Sequence, residues 1–241
     1  ILAVMMAGAM MLSMAACGGE ETTTAESTGE QKTIDGNVLD AEQYFNGYLS
    51  SEPTTLDSVT GNDTYSSSIL TNAMEPLTRL AEKDGENVRE GAAAESWESN
   101  EDGTVWTFHL RDNKWSDGQP VTANDYVYAI TRVLTPETGS PNSWLLTCVK
   151  NANAVLAGEM DPSELGVKAV DDKTIEFTLE SPTPYFLALT DTRVMMPQRQ
   201  DIVEQYGESY GAEASHMVYD GVFKLETWTH NSELILVKND Q

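Results

Sequence analysis

The sequence predicts an α/β domain with mixed sheets, and three observations carry that reading. Apolar and polar side chains alternate in two stretches, Trp106–Leu110 and Ile175–Leu179, as half-buried strands require. Apolar residues recur at helical spacing in two others, first Ile69, Leu70, Ala73, Met74 and Leu77, then Tyr126, Ile130 and Val133. Strand-like and helix-like stretches interleave without a strict β-α-β beat, so the sheets are expected to be mixed.

The elements follow in order. Ile1 to Ala16, "ILAVMMAGAMMLSMAA", is uncharged and mostly apolar, shorter than the roughly 20 residues of a spanning helix, and closes on small residues. That is the pattern of a secretory signal, predicted over 1–16. The absent start Met and basic n-region predict a chain clipped at its front. Residues 17–33 hold no large apolar side chain, cannot offset their ordering entropy, and are expected to be a flexible acidic tether. The folded body begins near Ile34. "AEQYFNGYLSSEPTTLD" reads as a short strand entering a Pro-punctuated loop, and a helix then runs toward Pro76. Asp84-Gly85 and Asp102-Gly103 mark turns, with Trp106, Phe108 and Leu110 on one strand face beyond the second. Thr122 and Asp125 form a T-x-x-D capping pattern ahead of the Tyr126 helix. Ile175, Phe177 and Leu179 belong to a hairpin turning at Asp171-Asp172; "QRQDIVEQYG" is a short helix; Phe223–Leu225 and Leu234–Val237 are a last strand pair.

With 241 residues and 40% hydrophobic side chains, the chain can bury a proper core. Thirty-nine acids against 14 bases give a net charge of −25, which repels nucleic acid and anionic head groups. Past Cys17 the one remaining cysteine is Cys148, which has no internal disulfide partner and is expected to be a buried, inert thiol.

Catalytic chemistry finds little support. "GESYG", Gly207 to Gly211, matches G-x-S-x-G, but a polar helical run precedes Ser209 where a nucleophile elbow needs a buried strand. A membrane-tethered serine hydrolase is therefore the weaker alternative. His109, His216 and His230 are far apart and form no zinc signature, so neither metal nor cofactor is expected. In "RDNKWSDG" and the residues after it, structure accounts for the pattern. Asp117-Gly118 suits a turn, Trp115 suits packing and Thr122 suits a cap.

That same region carries a resemblance. "AESWESNEDGTVWTFHLRDNKWSDGQPVTANDYVYAITRVLTPETGSP", followed in order by "LGVKAVDDKTIEFTLESPTPYF" and "DGVFKLETWTHNSELILVKND", resembles the extracytoplasmic solute-binding proteins of peptide ABC importers, the oligopeptide-binding branch of solute-binding family 5. The likeness spans about Tyr44 to Asp240, with one residue missing between Arg111 and Trp115 relative to the usual form. "MAAC", Met14 to Cys17, resembles the lipobox of bacterial lipoproteins, with Met14 where Leu is usual. It implies a lipidated Cys17 on the outer face of the cytoplasmic membrane; the alternative is a plain signal with an incidental cysteine.

The resemblance implies a type II periplasmic-binding-protein-like, two-lobed fold of which only the first lobe and its small inserted domain are present. Residues 34–75 and 198–241 would build lobe I, 76–197 the inserted domain, and the second lobe would lie beyond. It implies a monomeric receptor that closes on an oligopeptide and delivers it to an ABC permease, without covalent chemistry. Membrane contact would be through the lipid anchor only, and the anchor would raise the receptor's concentration at the permease. The loop after "PTTLD" matches the family's cleft loop, which makes Asn62, Asp63, Thr64, Tyr65 and Ser66 candidate ligand contacts, mainly through backbone. A surface turn without ligand is the alternative. The "SPNSW" loop matches another cleft edge and adds Asn142, Ser143 and Trp144; some oligopeptide binders carry Tyr where Asn142 stands. Dipeptides, nickel chelates and oligosaccharides stay open as ligands, as does peptide sensing for a signalling partner.

Overall fold

The computed structural model of the chain describes residues 33–34, 37–38 and 43–241. The signal over 1–16, Cys17 and all of the tether except Thr33 lie outside the described residues. Strand β1 (Thr33–Ile34) pairs antiparallel with β2 (Asn37–Val38), Thr33 opposite Val38. The short strand expected in "AEQYFNGYLSSEPTTLD" does not form over the described part: residues 43–49 are in neither strand nor helix. The reason is compositional. Three aromatics there alternate with nothing, so no face of a strand is defined. Residues 49–241 form one unit, which holds the remaining helices and strands.

Helix α1 (Thr64–Ala73) buries Ile69, Leu70 and Ala73, as their spacing predicts. It stops at Met74 because Pro76 excludes Glu75 from helical backbone. Leu77 is fully buried but lies beyond the helix, so it belongs to the core without belonging to the helical face.

Strands β3 (Thr78–Lys83) and β4 (Glu86–Gly91) pair antiparallel around Asp84 and Gly85. Both turn residues have positive φ, 54° and 82°, as a two-residue type I′ turn demands. Sequence patterning marks that turn but not its strands, because "TRLAEK" and "ENVREG" are polar on both faces and Leu80 is exposed.

The mixed sheets expected from the interleaving do not form: every strand pairing among the described residues is antiparallel, because consecutive strands pair through short hairpins rather than helical crossovers, and the main sheet runs in the order β5-β6-β8-β7. Its members are β5 (Ala94–Ser99), β6 (Val105–Leu110), β7 (Val167–Asp171) and β8 (Thr174–Thr178). The β7–β8 turn falls at Asp172-Lys173, one residue later than expected. Asp171 stays paired with Thr174 while its Oδ1 accepts from the Lys173 N–H at 2.8 Å, which closes the turn. Phe108 sits opposite Ile175, and its ring lies 5.7 Å from that of Phe177. Phe177 lies 5.2 Å from Phe186, so three aromatics from three segments lock the sheet's buried face.

Helix α2 (Ala123–Leu134) covers that face with Tyr126, Ile130 and Val133, all fully buried. Its start is fixed by Asp125, whose Oδ2 accepts from the Thr122 N–H at 2.8 Å and from Trp115 Nε1 at 3.3 Å. Trp115 is fully buried, and its N–H donates to Gln119 O at 2.8 Å. The Asp/Trp/Gly turn is thus a brace for the start of α2. Short helices α3 (Ala152–Leu156), α4 (Phe186–Leu189) and α5 (Gln200–Tyr206) lead to the final antiparallel pair, β9 (Phe223–Thr229) and β10 (Glu233–Lys238).

Two polar seams join chain segments distant in sequence. In the first, Asp57 accepts both arms of Arg132, Nη1 at 3.2 Å and Nη2 at 3.1 Å, and Gln198 Nε2 at 2.7 Å. The Val59 N–H donates to the same carboxylate at 3.0 Å. In the second, Asp220 Oδ1 accepts from the Glu75 N–H at 3.0 Å, Glu75 pairs with Arg111, and Tyr126 Oη donates to Glu75 O at 3.1 Å. Burial pushes the Asp220 carboxyl well above the usual carboxylate range. Gly221 is required where this seam meets α1, because a Cβ there would lie 2.6 Å from the Ala73 carbonyl carbon.

Removing Arg132 leaves the Asp57 carboxylate buried without its cation. Arg132→Met is expected to lower the unfolding free energy by about 3 kcal/mol, read as the denaturant midpoint at unchanged slope. A loss no larger than that of an exposed ion pair, such as Lys168–Glu176, would show that the seam is not structural.

Candidate ligand-binding site

The segment 57–67 is held from several sides. Leu56 N–H donates to Gly211 O at 2.7 Å, and Gly61 N–H donates to Asp57 O at 2.9 Å. Asp63 caps α1: its Oδ1 accepts from the Ser66 N–H at 2.7 Å, and its Oδ2 accepts from Ser66 Oγ at 2.6 Å and Thr54 Oγ1 at 2.7 Å. Burial pushes the Asp63 carboxyl up, but the bonds from Ser66 and Thr54 outweigh it and hold the group well below the usual range.

The two candidate loops meet. Asn142 Nδ2 donates to Gly61 O at 2.9 Å, and Ser140 Oγ donates to Val59 O at 2.6 Å. The sequence-selected residues then sort by what they present. Asn62 and Thr64 are exposed, Ser66 is buried with its hydroxyl turned to Asp63, and Tyr65 shares a 2.8 Å hydrogen bond with Ser50 Oγ. Trp144 exposes 67% of its surface, while Ser143 is half-buried and its N–H donates to Ser140 O at 3.3 Å. The side chains of Asp63 and Ser66 are spent on holding the loop. What the two loops expose is the small polar side chains of Asn62 and Thr64 and the indole of Trp144.

Ser140, Gly61 and Arg193 escaped the sequence reading. Arg193 reaches the loop from the far side of the chain, donating from Nε to Ser58 O at 3.2 Å and from Nη1 to Ser67 Oγ at 3.3 Å. A cation inside the apolar run "RVMMP" was the available signal, since such a residue is buried only with partners.

Elsewhere the side chains are arranged for structure. Ser209 ends a 3₁₀ turn, Gly207–Ser209, that follows α5 rather than a strand, and its Oγ donates to Tyr206 O at 2.7 Å. His216 contacts the Ser209 carbonyl at 2.9 Å rather than its hydroxyl, and stacks on Tyr206. His109 lies 3.2 Å from Glu98 on the sheet. Among the described residues no three His, Cys, Asp or Glu side chains converge on a metal site. Cys148 is half-buried rather than buried, and burial raises its thiol pKa, which keeps it in the unreactive form.

His230 sits between two carboxylates at the tip of the β9–β10 hairpin: Nδ1 meets Glu52, and Nε2 meets Glu213 at 3.3 Å. Trp228 Nε1 and the Asn231 N–H also reach Glu52, at 2.9 and 3.1 Å. The Glu52 and Glu213 carboxylates hold the imidazole pKa up against partial desolvation, while hydrogen bonds led by His230 hold that of Glu52 down. The clip's stabilisation is therefore full between the ordinary Glu and His ranges. It fades on the acid side as Glu52 protonates through its lowered value, and on the alkaline side as His230 deprotonates through its raised one. In an NMR titration His230 should titrate above the ordinary histidine value of about 6.5. His230→Gln should remove the corresponding loss of thermal stability above neutral pH; an unchanged profile would show that the clip does not form.

The chain resembles known proteins over most of its length. Residues 89–241 match the family of bacterial extracellular solute-binding proteins, family 5, over its middle part. The chain is 34% identical to the oligopeptide-binding protein OppA of Bacillus subtilis, across 100% of this chain and 42% of that one. It is 36% identical to the probable deoxycholate-binding periplasmic protein YgiS of Escherichia coli, across 83% of this chain and 37% of that one. Among solved structures, the substrate-binding domain of an oligopeptide ABC transporter from Bacillus anthracis superposes with a TM-score of 0.80 at 44% identity, covering 84% of this chain and 39% of that one. The chain thus spans about two fifths of the length of these relatives. The mixed α/β fold is that of the type II periplasmic-binding-protein-like relatives over the matched part. The chain belongs to family 5 of the bacterial extracellular solute-binding proteins.

Proposed function

We propose that this chain belongs to a lipid-anchored extracytoplasmic receptor that binds oligopeptides and delivers them to an ABC permease. The observation that carries the reading is the junction of the two loops. Asn142 grips the Gly61 carbonyl, which joins the loop that exposes Asn62 and Thr64 to the loop that exposes Trp144. An exposed polar loop beside an aromatic suits an extended peptide, which main-chain pairing can hold while its side chains stay largely unread. Asn62, Asp63, Thr64, Tyr65 and Ser66 then contribute chiefly backbone, and Asn142, Ser143 and Trp144 form the neighbouring edge. The two loops together make one wall of a cleft.

In this reading residues 34–75 and 198–241 build one lobe, and 76–197 form a small inserted domain. The protein acts as a monomer and closes on its ligand without forming or breaking covalent bonds; Ser209 performs no hydrolysis. Cys17 carries lipid, which tethers the folded body at the outer face of the cytoplasmic membrane. The likeness to a protein named for deoxycholate makes an apolar acid the second ligand class.

Calorimetry on the native protein with a peptide mixture tests the ligand class. Peptide is expected to bind, and Asn142→Ala to weaken it by about tenfold, the worth of one hydrogen bond of about 1.4 kcal/mol. Binding of deoxycholate with none of peptide would overturn the oligopeptide reading. Unchanged affinity in Asn142→Ala would remove the 140–144 loop from the site. Separately, Cys17→Ser should move the protein from the membrane fraction to the soluble one, and continued sedimentation with membranes would exclude the lipid anchor.

A further inference from the structure

Arg193 is an unusual residue for its position. Among the described residues its guanidinium has no carboxylate within ion-pair distance, and its Nη2 is buried without a hydrogen-bond partner. Burial lowers its pKa, with Asp63 and Asp57 near enough to support its charge only in part. An unpartnered buried guanidinium nitrogen carries a desolvation cost that local packing does not offset. What the side chain does instead is span the candidate loop. Nε binds the Ser58 carbonyl at one end and Nη1 binds the Ser67 hydroxyl at the other, nine residues apart in sequence.

Between those ends lies Gly61, and its lack of a side chain has a specific use. A Cβ there would stand 2.6 Å from Arg193 Nη2, 3.1 Å from Asp57 O and 3.2 Å from Thr55 Cγ2. No positive φ requires glycine at this position. Only the first contact is closer than a Cβ can come, and it is with the end of the guanidinium, so a side chain at 61 would have to displace Arg193. The Gly61 carbonyl is in turn the atom that Asn142 holds at 2.9 Å.

We infer that Arg193 is the positioning residue of the ligand loop: packed against Gly61 and bonded to both ends of 58–67, it sets the carbonyl that Asn142 grips and the course of the chain at 62–64. The inference rests on the proposed peptide-binding role for its effect on affinity, although the positioning itself is independent of any ligand. A fork is needed here, since two nitrogens of fixed spacing reach two acceptors that one ammonium cannot reach together.

The test is a double-mutant cycle in the full-length protein, with Gly61→Ala, Arg193→Ala and the double variant compared for peptide affinity by calorimetry. Each single variant is expected to weaken binding by about tenfold, as for a loop competent a tenth of the time. The double variant should bind like Arg193→Ala alone, because the methyl group introduced at position 61 then occupies the space the guanidinium has left. Arg193→Lys should fail to restore affinity. A merely structural role would lower melting temperature without this dependence between positions 61 and 193, so fully additive losses overturn the inference, as does unchanged affinity in both single variants. Amide hydrogen exchange supplies the second readout and keeps Gly61→Ala informative if Arg193→Ala does not fold. Exchange at 62–66 should accelerate in either single variant while the β6 and β8 amides keep their protection, and unchanged exchange at 62–66 overturns the positioning role. If the unmutated protein binds no peptide, the proposed function fails, and exchange alone decides whether Arg193 positions the loop.

Discussion

The arrangement depends first on the Asp57 carboxylate. It is buried, and it is met by residues from places far apart in the chain: Arg132 at the end of α2 and Gln198 just before α5. A buried carboxylate is tolerable only when its oxygens are occupied and its charge is matched, so the three segments must arrive together or not at all. Hydrophobic burial alone would not impose that requirement. The apolar faces of α1 and α2 could slide against their neighbours by a turn at modest cost, whereas a bidentate guanidinium has one geometry. The Asp57 oxygens also accept from the Val59 amide, and so the anchor of the fold is the first fixed point of the candidate loop.

The second seam works by a different balance. Asp220 is fully enclosed, one of its oxygens has no partner, and burial favours its protonated form. Its Oδ1 accepts a backbone amide from Glu75, and Glu75 carries the charge pairing with Arg111. The two acids divide the labour: the more exposed arginine neutralises Glu75, while the enclosed acid serves as a hydrogen-bond group. Through Gly221 and Ala73 this seam holds the end of α1 that Pro76 sets, and Asp63 caps its start. Both ends of the helix behind the candidate loop are thus held by polar contacts, since its own propensity is low for a stretch as rich in serine and threonine as "TYSSSILTNA".

Much of this was legible in the residue pattern, and the illegible remainder has a physical cause. The strands at Trp106–Leu110 and Ile175–Leu179, both principal helices and the Thr122–Asp125 cap follow from alternation, helical spacing and a four-residue motif, because each is decided by local contacts. The β3–β4 hairpin escaped because it buries little on either face, and a strand without a buried face has no periodicity to read. The strand expected near Tyr44 did not form, since aromatics without alternation supply hydrophobicity but no register. For the candidate site, the family resemblance and not the residue pattern nominated both loops, and the bond joining them links Asn142 to Gly61 across 81 residues, while Arg193 reaches Ser58 across 135. Such pairings have no sequence period. The trace Arg193 leaves is its incongruity, a cation set among valine and methionine.

The division of labour within the loop bears on what it can recognise. Asp63 and Ser66 satisfy each other and α1, Arg193 and Asn142 hold the backbone from two sides, and nothing charged is left pointing outward between Asn62 and Ser66. In the proposed peptide-binding role, such a surface would discriminate poorly among side chains and well among backbone shapes. Stiffness is what makes such a surface useful, since main-chain hydrogen bonds are individually weak and their sum survives only if the loop is ordered before the ligand arrives. The cost of that order falls on the fold, in a buried guanidinium nitrogen without a partner and a glycine where a Cβ would press on that guanidinium. A chain that retains both beneath one short loop is holding that loop's main chain in place.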